Sequence, residues 1–243
     1  MYNKLSNPFR IQLSAFVIFL TIGTSSLSAQ DSLREKPPVT DTWNKYLSEI
    51  TADTSKRMVE LKNKVPGILY DLHYASTDNF MNRQMYVPAP AATFLRLPAA
   101  EALGKVQQEL SAAGLGLKVF DAYRPYSVTV LFWELVKDER YVANPARGSG
   151  HNRGIAVDLT LVRLYDKTEL PMGTGFDNFS DTAHHSFTDL PARVSKNRRL
   201  LRSVMEKYGF KALETEWWHY YLPGGDRFEL LDIPFQQLQQ AHQ

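Results

Sequence analysis

Apolar residues return every three or four positions between Pro98 and Ala113, at Leu103, Val106, Leu110 and Ala113. That spacing places them on one face of a helix, with Pro98 suited to its first turn and Gly114 to a left-handed stop. Leu115 to Phe120 then alternates with the two-residue period of a strand and runs into Asp121-Ala122-Tyr123-Arg124-Pro125. A second helical stripe follows at Val128, Leu131, Phe132, Leu135 and Val136, for which Ser127 is the expected cap. Ile155 to Val162 alternates again. Ile155, Val157, Leu159 and Leu161 share one face, and Ala156, Asp158 and Thr160 the other. A third helix is predicted over Asn197–Tyr208, with Leu201, Val204, Met205 and Tyr208 inward and Gly209 as its stop, followed by one aromatic strand over about Ala212–Leu222. Helices and strands mix without a regular strand–helix–strand repeat. The expected class is therefore α+β, with a mainly antiparallel central sheet flanked by helices.

The first residues follow a different rule. Lys4 and Arg10 precede an apolar run from about Ile11 to Ile22, then the small-residue stretch Thr24 to Ala29, with no acidic residue before Gln30. This is the layout of a secretory signal peptide cleaved after Ala29. The run is shorter than the ~20 residues of a membrane span, so no stable membrane insertion is expected after cleavage. Residues 30–64 are polar, contain Pro37-Pro38 and read as a linker with a short helix, and residues 65–243 read as the catalytic domain. Loss of residues 1–29 lowers Lys+Arg from 28 to 26 and leaves Asp+Glu at 26, so the remaining chain is formally neutral. A neutral chain offers no nucleic-acid footprint. The absence of cysteine excludes disulfides, thiolate metal ligands, a cysteine nucleophile and a cysteine-linked lipid anchor.

Two motifs bear chemistry. Ser149-Gly150-His151-Asn152-Arg153-Gly154-Ile155-Ala156-Val157-Asp158 offers an imidazole and a carboxylate, and Glu216-Trp217-Trp218-His219 offers a second imidazole and a glutamate. His151, Asp158 and His219 suit a three-ligand catalytic zinc that keeps one position open, with Glu216 as base for the water. Arg124, between a strand end and a helix start, can stabilise an oxyanion. Each residue also has an ordinary structural reading: Asp158 as a strand-end cap, Glu216 as a solvated charge, Arg124 as an ion-pair partner, Trp217-Trp218 as core. In a regular strand Glu216 and His219 face opposite ways. A shared site therefore demands a bulge or turn at Trp217-Trp218.

These residues resemble the D-alanyl-D-alanine dipeptidases, zinc peptidases that share a fold with the zinc D,D-carboxypeptidases and the hedgehog signalling domain. The resemblance runs from about Met58 to Pro234. It is carried by Tyr74-Ala75-Ser76-Thr77-Asp78-Asn79-Phe80, the Asp121–Pro125 turn, the Ser149–Asp158 motif, Pro171-Met172-Gly173-Thr174-Gly175-Phe176-Asp177 and Glu216-Trp217-Trp218-His219. It implies one Zn²⁺ per chain on His151, Asp158 and His219, with Glu216 as base and Arg124 as oxyanion stabiliser. It further implies that Asp177 binds the free amine of a small dipeptide and that Ser149 lies near its carboxylate end. His184 and His185 are given a wall or positioning role, and His73 a structural one. Gly150 and Asn152 stand where relatives often carry serine. With the signal peptide, the resemblance implies an exported enzyme, periplasmic or extracellular. A D,D-carboxypeptidase or endopeptidase on longer muropeptides is the near alternative, and a non-catalytic zinc-stabilised wall-binding domain the distant one.

Overall fold

The computed structural model describes residues 37–139 and 141–240. The segment read as a signal peptide lies outside the described residues. At the centre is a five-stranded sheet of β3 (Leu69–Tyr70), β5 (Leu115–Asp121), β6 (Ala156–Arg163), β8 (Glu216–Tyr221) and β7 (Lys211–Leu213), in that spatial order. The β3–β5 pair is parallel and the other three pairs are antiparallel. Short pairs lie outside it: β1 (Val39–Thr40) with β9 (Leu230–Leu231), and β2 (Met58–Glu60) with β4 (Phe94–Arg96). The helices are α1 (Trp43–Ala52), α2 (Leu61–Lys64), α3 (Leu97–Ala112), α4 (Tyr126–Val136), α5 (Ala192–Lys207) and α6 (Phe235–Gln240). This is the expected α+β arrangement with a mostly antiparallel sheet. Among the described residues no helix is long and apolar enough to cross a membrane.

The alternation in β6 has its expected consequence. Val157, Leu159 and Leu161 join Leu103, Val106 and Leu110 of α3 and Leu201, Val204 and Met205 of α5 in one apolar core. Asp158 and Thr160 point to the other face, which is also covered, so both are almost fully buried. The helix α3 begins at Leu97, one residue before the prediction. The helix α5 begins at Ala192, five residues early, because its first turn is too polar (Arg193, Ser195, Lys196) to show an apolar stripe.

Three expectations change. The single aromatic strand is a hairpin, β7 and β8, and its register shifts between Ala212, paired with Tyr220, and Leu213, paired with Glu216. That shift is the irregularity the Glu216–His219 spacing demanded. The helix α4 starts at Tyr126, so Ser127 lies inside it and its N-cap, Pro125, has no side chain to cap with. The carboxylate of Asp232 serves instead, accepting from Ser127 N at 2.9 Å and Ser127 Oγ at 2.7 Å. Finally, the described part of the stretch read as a linker is folded. Its β1 pairs with β9 and its β2 with β4. Tyr46 and Met58 lie in a second apolar cluster with Tyr86, Phe94, Tyr123, Phe132 and Phe235. The short helix expected there is α1, whereas β1 and β2, of two and three residues, are too short to show a period and their partners lie far along the chain.

The hydroxyl of Tyr46 accepts a 2.8 Å hydrogen bond from the buried Met58 N–H. Tyr46→Phe would leave that donor unpaired, at a cost of about 1–3 kcal/mol. Denaturant unfolding should register the loss; a change within about 0.3 kcal/mol would show that this stretch does not contribute to the folded unit.

Candidate metal centre and active-site cavity

Sheet register assembles the centre. Asp158 on β6 stands directly opposite His219 on β8, and Asp121 on β5 stands opposite Asp158 from the other side. Between Val119 and Asp121 the β5 register slips by one residue, a bulge that turns Asp121 to the polar face. His151 comes from the loop before β6. Gly154 gives that loop its sharp return: its φ is +69°, and a Cβ there would sit 2.7 Å from Met58 Sδ.

Two imidazole nitrogens and the Asp158 carboxylate converge. His151 Nε2 lies 3.3 Å from His219 Nδ1 and 3.4 Å from Asp158 Oδ2, and His219 Nδ1 lies 2.9 Å from Asp158 Oδ1. Tetrahedral zinc with bonds of about 2.0–2.1 Å separates its ligand atoms by about 3.3–3.4 Å, which the two imidazole nitrogens match, and each has an Asp158 oxygen at 2.9 or 3.4 Å. His151 Nδ1 faces Ala122 O at 2.7 Å. Donating there places the proton on Nδ1 and leaves Nε2 with a free lone pair. Burial pushes the Asp158 carboxyl upward, but the imidazoles of His151 and His219 outweigh it and hold it below the usual carboxylate range. Asp158 is therefore anionic, the form a carboxylate needs to hold a metal.

Glu216 reaches the same place. The β7–β8 irregularity turns it to the side of His219, with Oε2 3.9 Å from His219 Nδ1. Burial raises its carboxyl pKa, His219 opposes that, and Asp158 adds to it. A carboxyl shifted this way is suited to exchanging a proton with water.

Arg124 is buried, with Nε and Nη2 donating to Asp121 Oδ2 at 3.1 and 2.7 Å. Tyr86 O–H donates to the other oxygen of Asp121 at 2.5 Å. The guanidinium also lies over the rings of Tyr74 and Phe132, 5.1 and 4.9 Å from their centres. Asp177 adopts a left-handed backbone at φ 56°, a conformation aspartate tolerates better than most residues. Tyr74 O–H lies 3.1 and 3.0 Å from its two carboxylate oxygens. Burial drives the Asp177 carboxyl well above its ordinary value, and the nearby Asp158 charge pushes the same way.

A cavity of about 720 Å³ joins these groups, with Arg124, Ser149, Asp177 and Glu216 in its wall beside the three ligand candidates. All seven residues singled out from the sequence therefore line one space. His184 also lines it, as expected of a wall residue, whereas His185 is not among its lining residues. Burial instead depresses the His185 imidazole to about 4. Sequence reasoning gave no separate role to Tyr74, Tyr86, Asp121 or Asn152. Asp121 had a signal in its place three residues before Arg124. Asn152 had none: its Nδ2 donates to Arg124 O at 2.9 Å and Thr129 Oγ1 at 2.8 Å, bonding the two motif loops together.

Comparison with known proteins gives a consistent picture. The Peptidase M15 profile, described as D-ala-D-ala dipeptidase, matches residues 54–240. The D-alanyl-D-alanine dipeptidase of Escherichia coli (strain K12) is 35% identical over 184 residues, covering 76% of this chain and 93% of that one. The D-alanyl-D-alanine dipeptidase of Enterococcus faecium is 34% identical over 176 residues, covering 65% and 87%. Among solved structures, the LdcB LD-carboxypeptidase superposes with a TM-score of 0.36 at 21% identity, over 60% of this chain and 69% of its own. That likeness is too slight to carry an argument.

The raised Asp177 carboxyl has a consequence for stability. The folded protein favours its protonated form, so its contribution is complete below about pH 4, the ordinary carboxylate value, and is lost as pH rises through the higher folded value. In chelator-treated protein, Asp177→Asn should therefore raise the melting temperature more at pH 8 than at pH 5. A pH-independent difference would contradict the burial of this charge.

Proposed function

The chain belongs to the D-ala-D-ala dipeptidase family, Peptidase M15, and from that membership we propose that it hydrolyses D-alanyl-D-alanine, or a closely related D,D-dipeptide, at one zinc ion held by His151, Asp158 and His219. The observation that carries the proposal is the convergence of a buried His–Asp–His cluster and a separate glutamate on one cavity. When bound, zinc supplies Lewis acidity that brings the ionisation of water near neutrality.

The chain's own residues do the rest. Glu216 takes the proton of the attacking water and returns it to the leaving amine. Arg124, its Nε and Nη2 fixed by Asp121, presents its remaining end to the developing oxyanion. Asp177 receives the free amine of the dipeptide, with Tyr74 holding the carboxylate in place. Ser149, whose Oγ accepts from Asn152 N at 3.2 Å, faces the carboxylate end. An aspartate reserved for a free amine disfavours acylated, longer chains, since those forgo the ion pair that the amine makes with its carboxylate. The signal-like segment over residues 1–29 supports an exported enzyme, periplasmic or extracellular, that acts on dipeptides released from cell-wall material.

Assay of D-Ala-D-Ala against its N-acetyl derivative tests the reading. The free dipeptide should be the better substrate, and preference for the acylated one would replace the dipeptidase with a carboxypeptidase. Two variants separate ligand from base. His219→Ala should abolish stoichiometric zinc. Glu216→Ala should retain zinc while activity falls by about 10² or more. Unchanged turnover would remove Glu216 from the mechanism.

A further inference from the structure

The carboxylate of Asp232 belongs to the last strand-and-tail segment, far from α4 in sequence, yet it bonds to the first turn of α4 three residues after Arg124. We propose that Asp232 is a positioning residue for the dipeptidase reaction, fixing Arg124 through the start of α4; this rests on the hydrolytic reading above.

The argument begins with an unmet demand. The first N–H groups of a helix have no intrahelical acceptor. Here the N-cap is Pro125, which offers no side-chain oxygen, and the first turn of α4 holds no acidic residue. Asp232 Oδ1 answers both needs, with bonds to Ser127 N and Oγ and a negative charge at the positive end of the helix. Arg124 immediately precedes that N-cap. Its guanidinium also rests over Phe132, which α4 carries, 4.9 Å from the ring centre. Any shift of α4 therefore moves the backbone that bears Arg124 and one of the surfaces on which its guanidinium lies.

Asp232 can hold α4 because its own backbone is anchored to both motif loops. Leu231 N donates to Asn152 O at 3.0 Å, and Ile233 N donates to Tyr123 Oη at 3.0 Å. Tyr123 O–H returns a 2.8 Å bond to Ile233 O, and the Tyr123 side chain is fully buried. Asp232 N donates to Thr40 O at 2.8 Å, which joins the segment to β1. The segment thus ties the loop of His151 to the turn of Arg124, and Asp232 is the member that reaches α4.

Asp232→Ala should lower kcat by about 10- to 100-fold, the scale of a small misplacement of a group that acts in the transition state. KM and zinc content should stay within about twofold. Affinity for a phosphinate analogue of D-Ala-D-Ala, which mimics the tetrahedral oxyanion, should fall in step with kcat. In an Arg124→Ala background, Asp232→Ala should leave phosphinate affinity unchanged, because the residue acts only through the lost guanidinium. Asp232→Asn keeps the Oδ1 acceptor and should return kcat to within about threefold of the parent. If Asp232→Ala does not fold, Ser127→Ala removes one of the two bonds from the other side and should lower kcat by a few-fold with full zinc. Unchanged kcat in these variants, a loss of zinc parallel to the loss of rate, or an equal loss of phosphinate affinity with and without Arg124 would each overturn the proposal. An inactive parent protein would instead refute the dipeptidase reading.

Discussion

Asp158 and His219 face each other across β6 and β8 because those strands pair in one register, and the active-site cavity is organised around that pairing. A slip of one residue would send every side chain of a strand to the opposite face. Asp158 would enter the apolar core, and Leu159 would face the polar cavity. The core of Val157, Leu159, Leu161 and Tyr220 against α3 and α5 therefore protects the register, and the register assembles the ligand candidates. Hydrophobic burial and metal geometry are two outcomes of one alignment.

The second organising constraint is charge. The cavity side of the sheet holds Asp121, Asp158, Asp177 and Glu216 close to one guanidinium, that of Arg124. Buried charges are tolerated only when paired. Asp121 is paired with Arg124 and receives the Tyr86 hydroxyl, whereas Asp158 faces two imidazoles. Asp177 and Glu216 have weaker compensation, and burial raises both carboxyls. A divalent cation and a substrate amine are the charges that such an arrangement accommodates. The site is electrostatically strained toward binding, and the surrounding core and loop bonds sustain it.

Long-range backbone bonds hold the polypeptide around this centre. The segment Leu230–Ile233 meets β1, the His151 loop and the Tyr123–Arg124 turn within four residues. Asn152 bonds the same loop and turn through its side chain. Arg124 is thereby placed by Asn152 and Tyr74 from distant parts of the chain as well as by its local ion pair with Asp121.

Reading the chain in one dimension was sufficient wherever a physical period or a local stop signal was present. Helix α3, strands β5 and β6 and the left-handed Gly209 followed from apolar spacing and backbone permissiveness. Five of the residues that line the cavity, Arg124, His151, Asp158, Glu216 and His219, were singled out by side-chain chemistry in their motifs, and Ser149 and Asp177 by the family resemblance. The Glu216–His219 spacing by itself required an irregular strand, because the two-residue alternation of a strand cannot turn both side chains to one site. Other features depend on partners distant in sequence. Whether residues 39–64 fold depends on β4, β9 and the aromatic cluster they meet. What caps α4 is decided by a carboxylate that the chain's return brings to Ser127. Side-chain identity and local periodicity are properties of neighbours in sequence, so the residues themselves disclosed the ligand candidates and the core faces. Register, capping and charge balance are properties of neighbours in space, and these the folded chain alone settled.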